Sequence, residues 1–280
     1  MPNTVLKSKL KMKLRNIFSL QKYIFYSLFW LIFIFTSIFM IMLIAGLFIF
    51  GELSIFLDVL KNPEFQFATI FTLWTTVLAT VLSALTAIPC GYILSRYNFP
   101  GKVIIDTILD VPLVLPPLVS GVALLIFFGP LFGETLTDIG LDIIFSAKGV
   151  VVAQWFIAAP FAIKTFKHAF DSIDTRLEYV ARTLGYSPEK VFLKVTVPLA
   201  KNGLLGGLTM TWARALGEFG ATAMLAGVTR LKTETLSVAI FLNMSIGDTH
   251  FALATAIIML LLALALLITF KIFTKVEVHL

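Results

Sequence analysis

The feature that most constrains this chain is its long apolar runs. Tyr23–Phe50, for example, holds no charged side chain at all. Charged residues make up 14% of the 280, against about a quarter in a soluble domain. The mean hydropathy is +0.96. Runs of this length are read as helices that cross a bilayer, because in hydrocarbon the backbone must satisfy its own hydrogen bonds. The expected fold class is therefore all-α integral membrane, with about six transmembrane helices. Their rough limits are Tyr23–Phe50, Ala68–Ser95, Val103–Gly129, Gly149–Phe170, Asn202–Val228 and Phe251–Phe273. The first run is too long for the apolar core of a cleaved signal peptide and lacks a small-residue cleavage site after it, which predicts a retained helix.

Charge placement predicts orientation. Lys7, Lys9, Lys11, Lys13, Arg15 and Lys22 precede the first run, and no acid occurs before Glu52. The loops then alternate: Glu52, Asp58 and Glu64 in the first, Arg96 and Lys102 in the second, Glu134, Asp138 and Asp142 in the third. Basic loops fall on the side of the N-terminus, so both termini are expected in the cytoplasm of a multi-pass plasma-membrane protein. Residues 1–22 read as a basic cytoplasmic tail and 23–280 as one transmembrane domain in the lipid bilayer. The net charge of +6 is explained by this asymmetry; no aromatic–basic interleaving marks a nucleic-acid surface.

One polar island, residues 171–201, interrupts the apolar blocks on the cytoplasmic side. Its spacing predicts a short helix from about Ile173–Arg176 to Leu184, capped by Asp171, Ser172 or Asp174. Leu177, Val180, Ala181 and Leu184 form one apolar stripe, and Gly185 supplies a C-terminal stop. Ser187-Pro188-Glu189 reads as a second helix start, and Pro198 as the end of that segment. Periodicity alone leaves two readings open: a helix lying on lipid headgroups, or one pressed against another protein.

Gly185, nine residues, then Val195-Thr196-Val197-Pro198 resembles the conserved cytoplasmic loop of ABC-importer permeases. The family pattern is Glu-Ala-Ala, three residues, Gly, nine residues, Ile, any residue, Leu-Pro. Tyr179-Val180-Ala181 occupies the first three positions here, with Glu178 just before, and valines replace the Ile and Leu. The resemblance extends through Asp110-Val111-Pro112-Leu113-Val114-Leu115-Pro116-Pro117, Gly121, Phe127-Phe128-Gly129 and Phe145-Ser146 before Gly149. It continues through Trp212-Ala213-Arg214-Ala215-Leu216-Gly217-Glu218-Phe219-Gly220-Ala221-Thr222. These blocks look most like permeases of molybdate and tungstate importers, with sulfate permeases as close cousins.

The resemblance implies a type I ABC-importer permease fold with a cytoplasmic coupling helix. Leu177, Glu178, Tyr179, Val180, Ala181, Arg182, Thr183, Leu184 and Gly185 would dock on an ATP-binding subunit. The implied partners are a second copy of the chain, two ATP-binding subunits and an extracytoplasmic oxyanion-binding protein. Molybdate or tungstate is the implied cargo, with sulfate or thiosulfate as the alternative.

Within the spans, Arg214 and Glu218 lie four residues apart, so they are expected on one helix face. Charges at this depth face a bundle interior or a water-filled path; a self-neutralising structural pair and a gate are both compatible with the spacing. Pro112, Pro116 and Pro117 should break the third span. Gly217, Gly220 and Ala221 would permit close approach of another helix, including that of a second copy. Together with Phe219, Pro112, Pro116, Pro117, Arg214, Gly217 and Glu218 are the candidate pathway or gate residues. No nucleotide-binding Gly-x-x-x-x-Gly-Lys-[Ser/Thr], His-Glu-x-x-His or Gly-x-Ser-x-Gly occurs. Cys90 is the only cysteine, and His168, His250 and His279 are scattered. The expectation is a chain with no catalytic site, no metal and no cofactor. A self-sufficient carrier would need its own coupling site, and a membrane enzyme a catalytic pair; neither is legible.

Overall fold

The computed structural model describes residues 2–51 and 53–275. The helices are α1 (Pro2–Phe50), α2 (Leu53–Lys61), α3 (Pro63–Arg96), α4 (Lys102–Val114), α5 (Pro117–Ile126), α6 (Gly133–Asp138), α7 (Ala147–Asp171), α8 (Thr175–Thr183), α9 (Pro188–Val191), α10 (Val197–Leu216), α11 (Gly220–Ala226), α12 (Leu236–Ser245) and α13 (Thr249–Lys275). No strand occurs among the described residues.

The chain divides into two compact units, residues 1–52 and 53–280. The first is α1, whose helical backbone runs on through the expected tail; side chains 1–21 lie outside the described residues. Within this unit none of the apolar window of Phe25–Phe50 is buried.

The second unit is a helical bundle centred on α3 and α7. One face of α3 is a stripe of small residues: Ala68, Thr72, Thr76, Ala79, Ser83, Ala87 and Gly91, all buried. The steps of three and four put them on one side, and small side chains let neighbouring helices come close in lipid. The hydroxyls return to the backbone, as Thr72 to the Ala68 carbonyl at 2.6 Å and Ser83 to the Ala79 carbonyl at 2.8 Å. Two also serve neighbours: Trp212 Nε1–H donates to Thr76 Oγ1 at 3.2 Å, and the Leu236 N–H to Thr72 Oγ1 at 2.8 Å.

All six expected segments are helical, but two are not single spans. Among the described residues four helices are long and apolar enough to cross: Phe25–Phe50, Pro63–Arg96, Ala147–Asp171 and Thr249–Thr269. The third expected span turns by 113° between α4 and the α5 segment, which makes five if the bent pair is one span. Pro116 and Pro117 account for the bend, since neither offers an N–H to the preceding turn. The fifth expected span stops at Leu216 and restarts at Gly220, leaving α10 and the short α11.

The other proline expectation is corrected. Pro198 does not close the polar segment; it occupies the first turn of α10, directly after a wide π turn over Phe192–Thr196. A second π turn, Phe127–Leu131, contains Pro130. A proline lacks the N–H for the fourth preceding carbonyl, and a widened turn accommodates that missing rung.

Candidate functional site: the α8 loop and the paired helix breaks

α8 is fixed at both ends by its own sequence. Asp174 caps it, accepting the Arg176 N–H at 2.9 Å; of the three expected caps, this is the one used. Glu178 in the first turn and Arg182 in the last complement the helix dipole. Gly185, at φ +86°, takes the left-handed conformation that favours glycine. The Gly185 N–H then reaches the Arg182 carbonyl at 3.0 Å and the Tyr186 N–H the Ala181 carbonyl at 3.2 Å. That bond pair is a Schellman stop.

The expected apolar stripe is split between two faces. Ala181 is buried, together with Glu178. Leu177, Val180 and Leu184 point away and are 47, 56 and 74% exposed, with Tyr179 beside them. Arg182, Thr183 and Gly185 are exposed too. The inward face is held by charge: Arg96 Nε donates to Glu178 Oε1 at 3.0 Å, and the Thr196 hydroxyl donates to the same oxygen at 2.9 Å. Just beyond, the Glu189 carboxyl is held below its ordinary value by its own backbone N–H and then by the Ser187 hydroxyl.

Deeper in the bundle, Arg214 and Glu218 do pair, at 2.8 Å. They do not share a continuous helix, however, because Gly217 is the C-cap of α10. Glu218, 1% exposed, uses its second oxygen to accept the Ala221 N–H at 2.8 Å, which ties it to the start of α11. Phe219 lies at the junction with its ring 5.0 Å from that of Phe241.

Two of the small residues around this break, Gly220 and Ala221, pack within the chain. A Cβ on Gly220 would come within 2.9 Å of Pro117 Cβ, and one on Gly121 within 2.8 Å of Ala221 Cα. Gly217 has nothing closer than the Ala213 carbonyl at 3.7 Å. The α4–α5 bend and the α10–α11 break therefore lie side by side. Pro117, Glu218, Phe219 and Gly220 are brought together there, while Pro112 lies within α4, on the other side of the bend.

Sequence reasoning missed two cations. Lys164 pairs with Asp110 and Lys167 with Asp106, each at 2.7 Å, linking α7 to α4. The signal was present: two aspartates one turn apart on one span, two lysines three apart on another. It also left Arg96 and Thr196 unassigned, because nothing local shows that they meet Glu178. His168 and His250 are exposed, and His279 lies outside the described residues. Cys90 is half-buried, packed against the core formed by α3, α7 and α10.

Residues 87–276 match the family of binding-protein-dependent transport system inner membrane components. A probable molybdenum ABC transporter permease of Haloferax volcanii is 44% identical over 65% of this chain and 68% of its own length. The molybdenum transport system permease ModB of Escherichia coli is 37% identical over 65% and 81%. The sulfate transport system permease CysT of Escherichia coli is 32% identical over 78% of each. Among solved structures, a bacterial alginate importer chain matches with a TM-score of 0.73 at 16% identity, covering 92% of this chain and 97% of that one. The inward-facing MetNI methionine ABC transporter matches with a TM-score of 0.59 at 19% identity, over 73% and 92%. The fold is that of type I ABC-importer permeases. The chain belongs to the binding-protein-dependent transport system inner membrane component family, and it is a non-catalytic, multi-pass permease subunit of an ABC importer.

Proposed function

We propose that this permease imports molybdate and tungstate oxyanions delivered by an extracytoplasmic binding protein, and that α8 is the element on which an ATP-binding subunit docks. The observation that carries the docking reading is the outward edge of α8: Leu177, Val180 and Leu184 are exposed on a helix whose other face is locked by Glu178 and Ala181. A headgroup-lying helix needs no such clamp. An apolar edge on a rigid support is what a protein groove engages.

Two copies of the chain would form the pathway, each above one ATP-binding subunit, with both termini and α8 in the cytoplasm of a cell membrane. Residues 1–22 are the cytoplasmic tail and 23–280 the permease domain in this reading. ATP binding would close the two motors, move the two docking helices and open the pathway outward. The paired breaks at Pro116, Pro117 and Gly217–Gly220 are the gate candidates, since broken helices at membrane depth are tolerated where they line a cavity or are covered by protein. Arg214, Lys164 and Lys167 lie 2.8, 2.7 and 2.7 Å from carboxylates. Neutralised cations fit transit of a dianion better than retention.

The oxyanion rests on relatives. Identity is higher to the molybdenum permeases, 44 and 37%, than to the sulfate permease at 32%. The longer sulfate alignment, 78% of the chain, favours sulfate as the second reading. The experiment is ATP-dependent uptake in proteoliposomes holding the permease, its ATP-binding subunit and its binding protein, with molybdate, tungstate and sulfate in competition. Molybdate uptake that resists excess sulfate is expected. Equal competition by sulfate moves the chain to the sulfate branch.

A further inference from the structure

The last turn of α3 holds the α8 loop before and within α8, and Thr196 closes it from the other side. Before α8, Ser95 donates to Asp171 Oδ1 at 2.5 Å and Arg96 Nη2 to the Ile173 carbonyl at 3.4 Å. Within α8, Arg96 meets Glu178, and both side chains are under one-tenth exposed. After α8, Thr196 closes on the same Glu178 oxygen. Parting such a pair strands a charge out of water, unlike the separation of an exposed ion pair. A displaced α8 must therefore carry the end of α3 with it.

α3 has 34 residues, about 51 Å at 1.5 Å per residue. It is tied at its other end as well. Glu64 pairs with Arg230, and Thr72 accepts the Leu236 N–H. Pro89 removes one rung near the α8 end, but the next turn is braced: a Cβ on Gly91 would come within 2.9 Å of the Lys167 backbone nitrogen in α7. One helix thus joins the docking loop to the Arg230–Leu236 segment at the opposite end of the bundle.

We infer that Arg96, through Glu178, is the positioning residue by which movement of α8 is carried into α3 and so to the far end of the pathway. This rests on the reading of α8 as the docking helix. Arg96 touches no cargo in this role; it sets whether ATP hydrolysis moves the bundle.

The test uses the complex of permease, ATP-binding subunit and binding protein in proteoliposomes, with molybdate as the probe and sulfate in parallel. Arg96→Ala is compared with Arg96→Lys, with Thr196→Val and with the swap Arg96→Glu plus Glu178→Arg. Arg96→Ala should still copurify with the ATP-binding subunit and hydrolyse ATP. Its uptake per ATP should fall at least about fivefold, and the swap should recover much of that. If Arg96→Ala does not reach the membrane, Arg96→Lys and Thr196→Val supply the same ratio with smaller losses. An unchanged ratio overturns the inference. So does loss of copurification that the swap restores, since the pair would then only shape the docking face. Leu177→Asp with Leu184→Asp tests the underlying reading separately: retained copurification there removes the docking assignment, whatever Arg96 does.

Discussion

Glu178 and Glu218 are two buried carboxylates in the same chemical situation with opposite consequences. Each holds one arginine and one further donor: Arg96 and the Thr196 hydroxyl for Glu178, Arg214 and the Ala221 N–H for Glu218. Around Glu178 the pairing pins one face of a helix and leaves an apolar edge bare. Around Glu218 it seals a helix break against α5, and the neighbouring Gly220 and Ala221 pack inside the chain. The same motif builds a surface for a partner in one place and a closed joint in the other. Which it does depends on what the opposite side of the element meets, not on the charges.

The largest effect that could break this contrast lies at α8. Leu177→Asp with Leu184→Asp leaves Glu178 and its partners untouched and places two carboxylates on the bare edge. Affinity for the ATP-binding subunit should fall by about 100-fold or more, as for truncation of interface anchors. Copurification from membranes reads this directly, and an unchanged yield would make the edge a lipid-facing one.

Next in size is the joint itself. Arg214→Ala leaves the Glu218 carboxylate, 1% exposed, without its cation and should cost about 3 kcal/mol of stability. Glu218→Gln keeps an acceptor for the Ala221 N–H and should cost less. In the double variant the loss should be smaller than the sum, which thermal unfolding in detergent resolves as a coupling term. Additive losses would mean the two side chains act separately.

The difference between the regions also explains what could be read from sequence. α8 is built from local signals: Asp174, the three–four spacing and Gly185 all act within a turn of themselves, so its end was legible to within one residue and its start to within two. The split of its stripe was not, because the inward face is set by Arg96 of α3 and by Thr196, both of which meet Glu178 from outside the helix. At the joint the spacing of Arg214 and Glu218 gave the pair correctly. The helix break between them was hidden, since Gly217 is no stronger a stop than the other glycines of α10. The close approach at Gly220 was legible as smallness but not as a partner; within the chain that partner is Pro117, in the chain's own bend.

A steric variant sharpens that last point. Gly220→Val pushes a side chain into Pro117 and the Leu118 backbone and should cost about 1–3 kcal/mol. Gly217→Val, with open space around it, should cost less. Because the contact is within one chain, the loss at Gly220 should not change with protomer concentration. A concentration-dependent loss would return this residue to an interface between copies.

The smallest effect comes from a third buried carboxylate that lacks a guanidinium ion pair. Glu234 is fully buried in the loop between α11 and α12; one oxygen accepts the Leu231 N–H at 2.9 Å and the other has no partner among the described residues. Burial pushes its pKa above the ordinary carboxylate value, more than the Leu231 N–H lowers it. A carboxyl whose folded pKa lies above its unfolded one binds more protons in the folded state, so stability falls as pH rises between the two values. Glu234→Gln keeps an acceptor for Leu231 and removes the titration. The unfolding temperature of the unmodified chain should therefore drop more steeply from pH 4 to pH 8 than that of the variant. Parallel curves would mean that Glu234 finds compensation as complete as Glu178 and Glu218 do, and that buried carboxylates in this bundle are paired without exception.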